Sequence, residues 1–490
     1  MPGFNLLRNA RAFFTTNVGA TDGVIAASGH LATTTFELQL LAGFSFSQST
    51  NSQAITVAEA GTAPARSQRS FNTSLAPVDF SFSTYVRPTG TTTITAEERV
   101  LWNALLSSQN IDTTGLTLGT ISVFTRPASG DTVSITVGTG ANFTGAGIGI
   151  GDVFTVAGVT GADAIEWNAP ATLVSITTGT LASATAFVIK YLKAPVGTGT
   201  APATPPTTGV KFFKGAVTQN LATGSEGAYM QIHSGGSNKN QLQKFGMIIV
   251  IDSVTYLIDN AAMDQLSIDF GLDGIATLAW TGKATALRPV AVATAVGGTF
   301  GGSISGAYTQ KDTSAKYITN KLSTVTLNSG LRGLGTSTVY NVAITGGSIS
   351  IANNINYVTP ENLGVVNQAI GYYTGTRSIS GSLTAYLKTG TNNTAQLLSD
   401  MLASASTTTE PKFMAEIQIG GIGNAVKVEV DLPAVTLQLP SIDAGGDILS
   451  TTINFTAQGF DGSTSATATA GQAAFDVEAA NDLVVRYYSA

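Results

Sequence analysis

The chain contains no cysteine, which excludes disulfides, thiolate metal sites and a cysteine nucleophile. Charge is also scarce: 11% of its 490 residues are Asp, Glu, Lys or Arg, against about 25% in ordinary globular chains. The 24 basic residues are thinly spread and the net charge is −6, which speaks against a patch built to grip nucleic-acid phosphates. His30 and His233 are the two histidines. They stand far apart with no ligand spacing around them, so they read as ordinary loop or exposed residues rather than metal or catalytic groups. The longest strongly apolar run, Phe245 to Ile251, is far too short to cross a bilayer as a helix. Arg8 and Arg11 are not followed by the apolar core of a secretion signal, so the expectation is a soluble chain.

Chemistry-bearing motifs are missing as well. Gly282-Lys283-Ala284 lacks the hydroxyl and the preceding glycine of a phosphate loop. The glycine-dense run Gly145 to Gly151 precedes no convincing helix and reads as a β-turn. The carboxylates suggest no paired constellation. The expectation is therefore a protein that is not an enzyme, with no catalytic residues, no cofactor and no metal.

Thr, Ser, Ala, Val and 54 glycines dominate what remains, a composition suited to short strands and turns. So weakly charged a surface is poorly protected against association, and it suits a protein that buries itself against its own copies. A repeat points the same way. Thr35 to Leu41 is matched by Val339 to Thr345, and Gly43-Phe44-Ser45-Phe46 by Gly347-Ser348-Ile349-Ser350 at the same offset. Ser81 to Arg87 is matched by Ser382 to Lys388, and Asp273 to Gly282 by Asp447 to Gly459. A duplicated unit within one chain suits symmetric assembly.

Between the matched strands each copy has a helix candidate. In the first, Thr95 and Glu98 have the spacing of a capping box, and Val100, Leu101, Ala104 and Leu105 supply an apolar face through Ser107. In the second, the candidate is Thr394 to Ala403. Phe36 to Ser47 alternates as a strand, and Ser47 to Asn72 reads as a polar loop. Five strand-like runs between Asp112 and Tyr191, followed by the proline-rich Ala194 to Thr207, read as an inserted β-domain, with strands of the first copy resuming at Lys211 to Phe213. The expected organisation is a first module over 1–111 and 210–290, an insert with its linker over 112–209, and a connector over 291–320. A second module over 321–462 and a C-terminal arm over 463–490 complete it.

The patches Leu41 to Gln48, Arg66 to Asn72, Asp79 to Pro88 and Asp447 to Gly459 resemble the bacteriophage tail tube (major tail) protein family, over about two thirds of the chain. The resemblance implies a mainly β fold of two tandem sandwich or barrel modules, each flanked by a helix, plus the inserted β-domain. It also implies a structural virion protein, assembled in the host cytoplasm and located in the phage tail. Its partners would be copies of itself in trimeric, pseudo-hexameric rings stacked as a tube, other tail proteins, and the tape-measure protein and DNA transiently in the lumen. Arg66, Arg69 and Arg87, with Glu59, are the charged residues expected at contacts between subunits, where Arg–carboxylate forks suit interfaces. The competing readings are another β-rich coat or decoration protein and a glycan-binding β-sandwich.

Overall fold

The computed structural model describes residues 10–55, 69–90, 94–125, 132–159, 167–191, 208–223, 227–234, 241–251, 254–290, 316–329, 338–363, 366–404, 412–421, 426–439, 441–443, 448–458 and 482–489. The fold is mainly β, with multiple sheets and three short helices among the described residues.

The chain opens with β1 (Ala10–Thr15), β2 (Thr35–Leu38), β3 (Ser45–Ser47), the hairpin β4 (Thr50–Ile55) and β5 (Arg69–Leu75), and β6 (Val78–Tyr85). A small ribbon, β7 (Pro88–Thr89) and β8 (Thr95–Ala96), leads into α1 (Arg99–Leu106). There follow β9 (Leu116–Thr117), β10 (Ile121–Thr125), β11 (Thr132–Ala141), α2 (Phe143–Ala146), β12 (Val153–Ala157), β13 (Pro170–Thr180), β14 (Ser183–Tyr191) and β15 (Lys211–Lys214). The first copy resumes with the hairpin β16 (Val217–Thr223) and β17 (Gly227–His233), then β18 (Phe245–Ile251), β19 (Val254–Gly271), β20 (Thr277–Ala284) and β21 (Ala286–Val290). The second copy has β22 (Thr324–Asn328), β23 (Val339–Val342), β24 (Ile344–Ala352), the hairpin β25 (Asn356–Val358) and β26 (Gly371–Tyr373), β27 (Ser378–Tyr386) and α3 (Thr394–Ser404). It ends with β28 (Lys412–Gly420), β29 (Lys427–Leu437), β30 (Ser441–Asp443), β31 (Ser450–Ala457) and β32 (Val484–Tyr488).

The two copies share one pairing scheme, antiparallel throughout. In the first, β2 pairs β1, β1 pairs β18, β18 pairs β19, β19 pairs β20, β20 pairs β6 and β6 pairs β3. In the second, β23 pairs β22, β22 pairs β28, β28 pairs β29, β29 pairs β31, β31 pairs β27 and β27 pairs β24. Alternate residues of these strands, such as Phe80, Phe82, Leu278 and Trp280 in one copy and Ile379, Leu383 and Ile453 in the other, enter one shared apolar core. Helix α1 lies wholly buried against it, with Trp102 edge-on to Trp280 at 5.7 Å between ring centroids.

Several expectations from the sequence are corrected. Ser45 lies opposite Ser81 and Ser348 opposite Ser382, so Ser45 corresponds to Ser348, one residue from the match the sequence suggested. A one-residue slip exchanges the faces of a strand, and the observed register sets Phe46, packed on the core, against the buried Ile349. The run Phe36 to Ser47 is two strands, broken where Gly43 takes φ 98°. Within the stretch Ser47 to Asn72, read as a polar loop, Thr50–Ile55 and the start of Arg69–Leu75 are paired strands, β4 and β5. Thr95 and Glu98 form no capping box: Thr95 pairs with Thr89, and the Glu98 carboxylate accepts the backbone N–H of Arg87 at 3.3 Å, so the helix starts at Arg99. Both histidines are buried, His30 bonding the Ala26 carbonyl at 2.9 Å.

Residues of β9 to β15 form a separate seven-stranded sheet around its own core, where Phe154, Phe187 and Phe212 pack together. Lys211–Lys214, read above as the return of the first copy, pairs instead with β12 and β9 in this sheet.

Candidate functional site

The repeat meets itself inside the chain. The second half of β19 pairs with β20 on one edge and with β24 of the second copy on the other, from Gln265 opposite Ala352 to Gly271 opposite Gly346. Leu266 and Ile268 meet Ile351 and Ile349 on the core side of this joint, all fully or almost fully buried. On its other side Gln265 Nε2 donates to Ser350 Oγ at 2.9 Å. Asn353 pins the end, donating to the carbonyls of Leu105 at 2.8 Å and Met263 at 3.2 Å, while Asp264 accepts the Ile355 N–H at 2.8 Å. Two copies are thereby welded into one sheet.

Both halves of the joint occur a second time. In β19 Ser267, Ile268 and Asp269 lie opposite Ala279, Leu278 and Thr277 of β20. In β30 Ser441, Ile442 and Asp443 lie opposite Thr452, Thr451 and Ser450 of β31, so the Ser-Ile-Asp sequence recurs at the equivalent place. The partner strand recurs as Ser45-Phe46-Ser47 in β3. Cross-strand hydroxyl contacts confirm that equivalence: Ser45 to Ser81 at 2.8 Å in the first copy, Ser348 to Ser382 at 3.3 Å in the second. Within the chain, β30 pairs with β31 and β3 pairs with β6. Among the described residues neither strand has a neighbour on the edge that the β19–β24 joint uses.

The face of this layer opposite α1 is paved with small hydroxyl residues, among them Ser45, Ser47, Ser81, Ser83, Thr281, Ser348, Ser350, Ser380, Ser382 and Thr452. The charged residues in β3, β6, β20, β24, β27, β31 and the second half of β19 are Asp79, Asp264, Asp269 and Lys283. Such a face offers phosphates almost nothing to hold.

A second polar site seals the gap between the copies. Strand β32 runs between β17 of the first copy and β29 of the second. Its buried Arg486 donates to the half-buried Glu429 at 3.0 Å and to the buried Asp431 at 2.6 Å. Burial would lower the guanidinium's pKa, but the carboxylates more than offset it and hold the group charged. Tyr487 accepts from Trp102 Nε1 at 2.8 Å, beside Glu98, whose carboxyl burial lifts to about 7.

Of the charged residues singled out in the sequence, Arg87 is buried and its guanidinium is bonded within the chain to Glu97, whose other carboxylate oxygen accepts the Gln39 N–H. Arg69 starts β5, opposite Ile55. Glu59 and Arg66 lie outside the described residues. The joint itself escaped the sequence reading; the repeated Ser-Ile-Asp was a signal that could have found it.

No family model matches the chain. It is 23% identical over 462 residues to the tail tube protein pb6 of Escherichia phage T5, covering 92% of this chain and 72% of that protein. Similarity along nearly the whole length, on a β-rich fold built twice over, supports a tail tube protein family and a structural tail tube role for this chain.

Proposed function

We propose that the chain assembles with itself into rings of three, six modules to a ring, which stack into the hollow tube through which the phage genome is delivered. One observation carries this reading: the joint between copies is present once inside the chain, and its two halves recur in β30 and β3 as edges left uncovered among the described residues. Repeating the joint between chains sets Asp443 opposite Ser45, Ile442 opposite Phe46 and Ser441 opposite Ser47 of the next chain. Each copy then contributes four strands to a closed barrel, which leaves no free edge.

Size selects the number of chains. At ~4.8 Å between strands and ~40° of tilt, six modules close at roughly 48 Å across the backbone. Four modules, from two chains, would close at about 32 Å, and side chains on both walls would leave no clearance around a DNA duplex. The hydroxyl face is the inner wall in this reading, since α1 covers the other side. Its sparse charge lets DNA slide past, and the tape-measure protein would occupy the same space. The insert leaves from the α1 side, where the Ala216 N–H donates to Asn103 of that helix at 3.2 Å, so it projects from the outside of the tube. The two hairpins, joined where the Leu75 N–H donates to the Asn367 carbonyl at 2.8 Å, expose Ile55, Phe71, Val358 and Tyr373 and are the surfaces offered to the next ring. Glu59, Arg66 and Arg69 are proposed as further contacts between subunits.

Because the chain lacks cysteine, the joint can be tested with introduced pairs. Ser441→Cys with Ser47→Cys should give, on oxidation of assembled protein, covalent species ending at three chains. Ser267→Cys with Ser350→Cys, in the internal joint, should cross-link within one chain. Tubes that yield no product from the first pair, or closed species of six chains, would refute the ring as drawn.

A further inference from the structure

The two copies fill one slot in different ways. In the first copy β21 pairs with Thr255 to Asp259 of β19, along the edge opposite β18. It follows β20 after a single residue, Thr285. In the second copy the same slot, beside Lys427 to Asp431 of β29, is filled by β32. Here the twenty-six positions 458–483 separate it from β31. The distance to be closed is small. Ala457 lies opposite Val435 and Val484 opposite Asp431 on the same strand, four residues or about 13 Å apart. Twenty-six residues can extend to roughly 80 Å. The tether is several times longer than its own slot requires.

The slot also recognises its strand through specific side chains. Asp482 is held by both nitrogen arms of Arg377 at 3.1 Å, and Ser234 Oγ accepts the N–H groups of Asp482 and Leu483 at 3.0 Å. Arg486 neutralises the buried Asp431, with Glu429 beside it, which makes an empty slot costly. A slot that must be filled, a strand that fits it, and a tether long enough to reach the next subunit are the conditions for exchange between copies.

We infer that in the assembled protein the strand Val484–Tyr488 of one chain fills the slot beside β29 of a neighbouring copy, locking subunits together through their C-termini. This rests on the ring reading only in needing a neighbour, and it concerns a different contact from the β30–β3 joint.

Val430 and Val485 lie opposite each other in the β29–β32 pair and both are fully buried, so each tolerates a small isosteric change. Chains carrying Val430→Cys alone and chains carrying Val485→Cys alone are mixed unfolded, co-assembled and oxidised. Exchange predicts covalent dimers containing one chain of each kind, engaging about half of the Val430→Cys chains at equal mixing. Neither variant alone should give them. Tubes without mixed dimers overturn the inference while leaving the ring intact; so does a Val430→Cys/Val485→Cys double variant whose tubes contain within-chain links alone. If the cysteine variants fold poorly, Tyr488→benzoylphenylalanine gives a second readout. Photolysis of its tubes should yield chain dimers, and monomers alone would overturn the exchange. Failure of the ring itself would show separately, as no product from the Ser441→Cys/Ser47→Cys pair.

Discussion

In the first copy the aromatic ring at the centre of the sheet is Phe80 on β6, lying over Gly282 on β20. In the second the glycine is Gly381 on β27 and the ring is Phe455 on β31. The strands are equivalent and the residues have changed places. A Cβ on Gly282 would come within 2.2 Å of the Phe80 ring, and one on Gly381 within 2.4 Å of Phe455, so each glycine is required by the ring opposite. The comparison teaches that the duplication is conserved in backbone pairing and in total volume, while the identity of the residue at a position is free to move across the strand pair. The closing strands differ in the same spirit: Arg288 of β21 is about half exposed beside Asp259, whereas Arg486 of β32 is buried between two carboxylates.

That contrast sets the largest expected effect. Arg486→Ala leaves the buried Asp431 without a counterion, while Glu429 keeps Lys427 at 3.6 Å, and should cost about 4 kcal/mol in denaturant unfolding. Arg288→Ala, in the equivalent slot of the first copy, takes a half-exposed guanidinium from the buried Asp259, which keeps the Ile25 N–H, and should cost less, about 2 kcal/mol. Equal losses would mean that the two slots are energetically alike.

The exchanged aromatic gives the next test. Phe80→Ala and Phe455→Ala should each destabilise by about 3 kcal/mol, since each ring fills core volume that no neighbour can take up. The reversed pair Phe80→Gly with Gly282→Phe rebuilds the second copy's arrangement in the first. It should lose less than the sum of its single changes, by roughly 1–3 kcal/mol in a double-mutant cycle. Strict additivity would break the equivalence drawn here.

A smaller, pH-dependent difference separates the helices. Glu97 and Glu98 precede α1, whereas Asn392 and Asn393 precede α3. Burial raises the Glu98 carboxyl from 4.5 in the unfolded chain to about 7, so the folded state holds a proton that the unfolded state releases between these values. Its neutral form is therefore fully stabilising below about 4.5, and stability drains away as pH rises through about 7. Glu98→Gln should remove this slope and gain roughly 3 kcal/mol at pH 8, read from unfolding curves across pH 4 to 8. A wild-type slope unchanged by the substitution would locate the titration elsewhere.

The smallest effect is expected from the insert. Deleting Thr113–Lys214 with a short Gly/Ser bridge should leave tubes visible by electron microscopy, because that sheet carries its own core. Deleting Thr113–Pro206 instead would strand the buried Phe212 of β15 without its sheet, and that variant should aggregate more readily. Loss of assembly in the first deletion, with the protein otherwise folded, would make the insert part of the subunit contact.

Much was legible in the chain itself. Strand and helix positions follow from period and turn chemistry, both local, so Thr394–Ser404 stands nearly where the residues suggested. The duplication was readable because Ser81 to Tyr85 and Ser382 to Tyr386 keep the same in-out pattern. Tertiary structure decided what no local window contains. Whether Ser45 answers to Ser348 or to its neighbour depends on hydrogen bonds to a strand more than thirty residues away. That Lys211–Lys214 joins the insert depends on β12 and β9 offering an edge, since an apolar strand fits either sheet equally well. Glu98 looked like a helix cap until burial and the Arg87 N–H gave its carboxylate another partner. The sequence determined the elements because propensity and alternation act over a few residues; the joint, its free edges and the slot for the last strand were decided by long-range pairing, whose register only packing against the shared core can select.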